Sequence, residues 1–245
     1  METLFSPVAW LKVWTYRETF LLGFLTTIET AVFAIIISMV LGILFGLMST
    51  SNKVSLRIIA RIYVEFIQNT PLLLQICFLY YALSFSGNSI GILLSGIVSI
   101  GIYHGAYMAE VIRAGIQSIH KGQFEAAQSQ GFNYIGMMYH IILPQSIKII
   151  LPPSVNQIVN LIKNTSCLYI IGGSDLISLT YSFVTGINTG GAYGPAYLVS
   201  GLLFFIFCFP LSKMASSWEN NLKKRDQMQN MKKKATVVEE SSDVD

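Results

Sequence analysis

Between Phe66 and Ala109 the chain carries no Asp, Glu, Lys or Arg, a run of 44 residues without one ionised side chain. Crossing a bilayer takes roughly 20 mostly apolar residues. The run is therefore twice the length of a span, and "SGNS" at 86–89 puts a turn signal in its middle. It reads as a helical hairpin in lipid. Phe20 to Met48 supplies another span, interrupted only by Glu29; Ile149 to Gly172 supplies a fourth, carrying Lys163; Tyr193 to Leu211 supplies a fifth. Composition agrees: 53% of residues are hydrophobic and only 12% charged, against about 25% charged in soluble domains. The expected fold is an all-α membrane protein with about five transmembrane helices.

Lys and Arg concentrate in alternate connections, which sets orientation. Lys53, Arg57 and Arg61 follow the first span, and Arg113, Lys121 and Lys148 follow the third. The tail adds Lys213, Lys223, Lys224, Arg225 and Lys232 to Lys234, whereas Leu176 to Ala192 has no Lys or Arg. The N-terminus is expected outside and the C-terminus in the cytoplasm, with Lys12 and Arg17 counting mildly against that orientation. Residues 1–19 form an outer, interfacial segment in which Trp10, Trp14 and Tyr16 resemble an aromatic belt. Residues 20–218 form the membrane domain. Residues 219–245, charged and nearly free of aromatics, are expected to lack fixed structure, with basic clusters and then Glu239, Glu240, Asp243 and Asp245. The first apolar run is too long for the core of a cleavable signal peptide, so none is expected.

Soluble chemistry finds no support. There is no GxxxxGK[ST] phosphate loop, and no Gly-Lys pair at all. His104, His120 and His140 lack metal-ligand spacing, so no metal or cofactor is expected. Cys77, Cys167 and Cys208 lie within apolar runs and read as packing residues. No nucleic-acid partner and no enzymatic activity of the chain's own are expected.

The exception to the apolar texture is "EAAQSQGFNYIGMMYHIILPQ", Glu125 to Gln145. Gln123 to Gln130 is a run of good helix formers beginning after Gly122. Glu125 is expected in its first turn, where the helix dipole favours a carboxylate. Gly131 stands where a left-handed residue would end the helix, and Asn133 where a side chain would cap the next one. Ala126 and Ala127 flatten one side for close approach. The stretch 122–140 reads as a docking knob on the cytoplasmic face, with Pro144 at re-entry into the membrane.

Glu125-Ala126-Ala127, then Gly131, then Ile141-x-Leu143-Pro144 resembles the EAA loop of ATP-binding-cassette importer permeases. "YVEFIQNTPLLLQ" (63–75), "AEVIRAGIQSIHKGQFEAA" (109–127) and "LPPSVNQIVNLIKNTS" (151–166) are similar to permeases for polar amino acids of the histidine, glutamine and arginine type. Gln68 departs from the arginine such permeases often carry. The resemblance implies a type I importer fold in a bacterial cell membrane and a second permease subunit, identical or related. It also implies two cytoplasmic ATPases, an extracytoplasmic binding protein and a polar amino acid as substrate. Glu125, Ala126, Ala127 and Gly131 would form the coupling helix seated on an ATPase. The alternative class is an ion-coupled secondary transporter or channel, which would predict inverted repeats.

Ionisable groups inside spans are costly and default to functional hypotheses. Glu29 and Glu65 are candidates for holding an amino group, or for a structural pair between helices. Lys163, with Asn164 and Thr165, offers donors to a substrate carboxylate. Glu110 and Arg113, three residues apart, are expected to pair. Pro152 and Pro153 remove backbone donors and are expected to kink or break the fourth span, as a gate or through packing.

Overall fold

The structure, a computed structural model, describes residues 4–87, 90–187 and 189–242, with side chains beyond Leu222 described only at Lys224. Every regular element among them is helical. A short helix α1 (Pro7–Thr15) turns at Tyr16 into α2 (Arg17–Ser49), which covers the first expected span and a turn beyond it at the start. The partner of α2 is α5 (Ile92–Gln117).

These two helices interlock through small residues. The buried face of α2 is Gly23, Thr27, Ala31, Ala34, Ser38, Gly42 and Gly46, spaced three to four apart. Lipid gives no hydrophobic drive for helices to associate, so close backbone approach at small residues supplies the contact. The fit is reciprocal. A Cβ on Gly42 would lie 2.6 Å from Cβ of Met108, and one on Gly46 would lie 2.8 Å from Cβ of Ile112. In the other direction, a Cβ on Gly101 would meet Cβ of Ile37 at 2.7 Å, and one on Gly105 would meet Cβ of Leu41 at 2.9 Å. Each helix thus offers a Gly-x-x-x-Gly groove to large side chains of the other.

The paired positions advance in the same direction along both chains, so α2 and α5 are parallel. The chain between them must then return to the side it left. That segment is α3 (Val54–Gln68) followed by α4 (Leu72–Phe85), bent by 98°. Counted as one return crossing, the bent pair completes five spans with α2, α5, Tyr134–Ile171 and Tyr193–Leu222.

The second crossing departs from the expected straight span starting at Phe66. Arg57 and Arg61 lie on α3 rather than in a loop. The break falls at Asn69–Pro71, since Pro71 has no N–H and biases Thr70 away from helix. Gln75 repairs the break: its Nε2 donates to Ile67 O at 3.1 Å and to Thr70 Oγ1 at 2.7 Å. Of the expected turn at 86–89, Ser86 and Gly87 form a turn, with Gly87 at φ +80°. Asn88 and Ser89 lie outside the described residues.

Beyond α5 come α6 (Lys121–Ser129), α7 (Tyr134–Met137), a π-helical turn Met138–Ile142, α8 (Leu143–Asn164) and a 3-10 segment Thr165–Ile171. Gly172, at φ +74°, ends this run where the sequence ends the fourth span. Pro152 and Pro153 do not break α8, which continues through both. The irregularity lies earlier, at the π turn. There the ring of Pro144 would otherwise press on the carbonyl of His140, four residues back, and a wider turn relieves it.

The Lys/Arg-free connection 176–192 contains a short apolar helix α9 (Leu176–Thr185). Asp175, fully buried, caps it by accepting from Ile177 and Ser178 N–H, and burial pushes its carboxyl above the ordinary range. The last helix, α10 (Tyr193–Ser242), continues through the charged tail instead of ending near residue 218. After Pro210 the sequence has no Gly or Pro, and Lys, Gln, Met and Ala favour helix. Asp243 and Asp245 lie outside the described residues, as do the side chains of Glu239 and Glu240.

Candidate functional site

Two features stand out from the packed helices: an elbow at one end and polar openings between spans. The elbow is built as a capped unit. His120 Nδ1 accepts from Gly122 N–H at 3.1 Å, so Gly122 lies in the first turn of α6 rather than before it. The start at Lys121 moves Glu125 into the second turn, away from the favourable N-terminal dipole position expected for it. At the far end Gly131 takes φ +81°, with its N–H bonded to Gln128 O at 2.9 Å and Phe132 N–H bonded to Ala127 O at 3.1 Å. This pair of reverse bonds is the Schellman closure, which needs a left-handed residue at Gly131. Asn133 Oδ1 then accepts from Gly136 N–H at 2.7 Å and caps α7 as expected.

The two alanines divide. Ala127 is buried against a cluster containing Ile116, Ile119, Met137 and Ile142, while Ala126 and Glu125 are exposed. One face of α6 anchors the elbow and the other is open. Tyr134 OH donates to Thr50 O at 3.0 Å, tying the elbow to the end of α2.

Between α5 and α8 lies a polar cavity of about 360 Å³. From α8 it receives Gln157, Asn160, Lys163 and Asn164, one face at helical spacing; from α5 it receives Tyr103, His104 and Tyr107. His104, 2% exposed, meets Asn164 Nδ2 at 3.0 Å through Nε2, and the hydroxyls of Tyr103 and Tyr107 are 3.1 Å apart. Of the expected donors, Lys163 and Asn164 both line this cavity. Thr165 does not: it is fully buried and its hydroxyl donates to Ile162 O at 2.8 Å.

Glu65 belongs to a different opening, a cleft of about 490 Å³ between α3, α5 and the end of α2. It pairs with Arg61, Nε to Oε1 at 2.6 Å, and faces Glu110 and Arg113, which pair as expected with Nε to Oε2 at 2.8 Å. Gln68 lines the same cleft and donates to Ala106 O at 3.3 Å. Glu29 reaches neither opening. It sits on the exposed face of α2 with Leu25, Val32 and Ile36, and has no hydrogen-bond or ion-pair partner among the described residues. The tyrosines, His104, Gln157 and Asn160 were not singled out from sequence. The legible signal was the polar stripe Gln157, Asn160, Lys163, Asn164 and the Tyr103–Tyr107 spacing of four.

Known proteins resemble this chain in sequence and fold. Residues 38–216 match the family described as "Binding-protein-dependent transport system inner membrane component". The probable glutamine ABC transporter permease protein GlnM of Bacillus subtilis (strain 168) is 39% identical over 202 residues, covering 82% of this chain and 92% of that protein. GlnP of the same strain, also a probable glutamine ABC transporter permease, is 34% identical over 198 residues, covering 80% and 90%. A crystal structure of an amino acid ABC transporter with histidines superposes with a TM-score of 0.78 at 31% identity, covering 86% of this chain and 98% of that one. An inward-facing methionine ABC transporter, at 16% identity and a TM-score of 0.59, shares the fold. The match spans α2 to α10 and encloses the elbow and both openings, so the chain belongs to the inner membrane components of binding-protein-dependent transport systems.

Proposed function

We propose that the chain is the permease subunit of an ATP-driven importer of a polar amino acid of the glutamine type, working with a second permease copy or relative, two ATPases and an extracytoplasmic binding protein. The observation that carries this reading is the elbow: a helix held rigid at both ends, anchored by Ala127 and presenting Glu125 and Ala126 outward. The chain has no phosphate loop of its own, so ATP chemistry falls to the partners. Motion of α6 against an ATPase is passed to α2 through Tyr134 and to α5 through the apolar cluster around Ile116.

In the cavity, the Lys163 ammonium receives the substrate carboxylate, and Gln157 and Asn160 offer amides that can both donate to and accept from a polar side chain. His104 orients Asn164 at its edge. Glu65 and its neighbours line the opening nearer the elbow, since Ser49 and Gln117, which end α2 and α5, share that cleft. Glu29, bare on α2, fits a face covered by the second permease subunit, because a carboxylate left in lipid is costly. Pro152 and Pro153 remove the N–H groups that the carbonyls four residues back, of Lys148 and Ile149, would otherwise receive, and are the proposed flexible point of a gate.

Purification tests this. The chain should bring down an ATP-binding-cassette ATPase, and the reconstituted complex should hydrolyse ATP faster with loaded binding protein. A chain that purifies alone and transports on an ion gradient would favour the secondary-transporter reading.

A further inference from the structure

The outer corner of the fold holds a groove separate from the elbow and from both polar openings. It has a volume of about 350 Å³ and lies between α1, the start of α2 and the upper part of α10. Its walls include Trp10, Val13, Phe20, Leu21, Val199 and Leu203, and among the described residues the one charged side chain lining it is Arg17. We propose that this groove binds a membrane phospholipid, with the phosphate on Arg17 and an acyl chain along the apolar floor.

Three observations support this occupant over others. Trp10 and Trp14 are both exposed at the start of the first span, as interfacial anchors are, and Trp10 Nε1 donates to Leu4 O at 2.8 Å. Such anchors sit at headgroup level, and Arg17 follows Trp14 by three residues. Arg17 also has no carboxylate partner among the described residues. It lies over the Trp14 ring at 5.4 Å and donates once, from Nη1 to Trp14 O at 3.3 Å, leaving donors of the guanidinium for a phosphate. Thirdly, Val199 and Leu203 lie two and three turns into α10, so the apolar floor descends from the cation toward the bilayer interior. A cation at headgroup depth above an apolar channel matches the two ends of a phospholipid.

Native mass spectrometry of the purified permease–ATPase complex, titrated with phosphatidylglycerol, tests the site. The parent should retain the lipid through a detergent wash, Arg17→Gln should retain it about tenfold less well, and Arg17→Lys should fall between. Val199→Phe, which narrows the floor without touching the cation, should also lose lipid. Inorganic phosphate should not displace it. Equal retention by parent, Arg17→Gln and Val199→Phe would overturn the proposal, as would a parent that holds no lipid. Displacement by inorganic phosphate, with Val199→Phe unaffected, would mean that Arg17 holds an ion alone and would overturn it too. Membrane insertion and uptake by the variants report separately on the permease reading.

Discussion

Lys163 is a charge on a spanning helix, and its surroundings decide what it can do. Two neighbours in sequence, Lys163 and Asn164, line the cavity with Tyr103 and Tyr107, whereas Thr165 turns into the core. An ammonium in such a place is stabilised by an arriving carboxylate, through a charge-assisted hydrogen bond stronger than a neutral one. Lys163→Met should lower uptake by about tenfold or more, the scale of one such bond, while the complex still assembles. Thr165→Val should instead leave substrate dependence unchanged and lower thermal stability, because its buried hydroxyl bond is lost. Glu29→Gln serves as the contrast, since Glu29 lies on a different face of the bundle. Uptake measured against substrate concentration in proteoliposomes separates the three. A substrate dependence altered by Glu29→Gln but not by Lys163→Met would refute the cavity assignment. Lys163 and Glu29 were legible as candidates because charge within an apolar run is visible in one dimension, and Thr165 entered only as a polar neighbour of Lys163. Which of them share a cavity was not, since Tyr103 and Lys163 meet only through the packing of α5 on α8.

Elements carry the next layer, and glycine sets two of them in different ways. Gly42 and Gly105 are needed for space: a Cβ on Gly42 would lie 2.6 Å from Cβ of Met108, and one on Gly105 would lie 2.7 Å from the Tyr63 hydroxyl. Gly42→Leu should therefore destabilise the folded complex by about 1–3 kcal/mol or more, the cost of overpacking. Gly201→Ala on α10, with no atom near its would-be Cβ, should be neutral or slightly stabilising. Thermal melting in detergent distinguishes them, and equal melting would refute the interlock of α2 and α5. Gly131 is needed for conformation instead. No atom lies within 4 Å of its would-be Cβ, yet φ is +81°. Any side chain with a Cβ costs about 1 kcal/mol or more there, a branched one more, and Asn least. Gly131→Val should leave insertion intact but weaken ATPase association or abolish the stimulation of hydrolysis by loaded binding protein; Gly131→Asn should be mild. A Gly131→Val complex that hydrolyses and transports like the parent would sink the coupling role. The elbow was readable because capping is local chemistry. The Gly-x-x-x-Gly pairing and the bend at Asn69–Pro71 were not drawn from the sequence, because a hydropathy pattern shows length and polarity rather than which grooves face each other.

At the scale of the whole molecule the parallel packing of α2 and α5 has a topological consequence. Both run the same way across the bilayer, so Ser49 and Gln117 end on one side, where the elbow follows. That side also holds Lys53, Arg57, Arg113, Lys121 and Lys148, and the opposite connection 176–192 carries no Lys or Arg. Charge bias and helix direction are independent, the first a matter of insertion energetics and the second of packing, and they place the same loops together. The expected orientation is then elbow in the cytoplasm, α1 and α9 outside. Ile187, fully exposed at 103%, and Asn52, exposed after α2, are suitable reporters on the two sides. Cys77 and Cys167 are half-buried and Cys208 is buried, so all three are replaced by Ala first to leave a clean background. In intact cells a membrane-impermeant maleimide should modify Ile187→Cys and spare Asn52→Cys; after permeabilisation it should modify both. Modification of Asn52→Cys in intact cells would invert the orientation, and the elbow would then face away from any ATPase. Labelling of neither site in intact cells, with both reacting once opened, would put an even number of crossings between them and refute the reading of α3 and α4 as one return span.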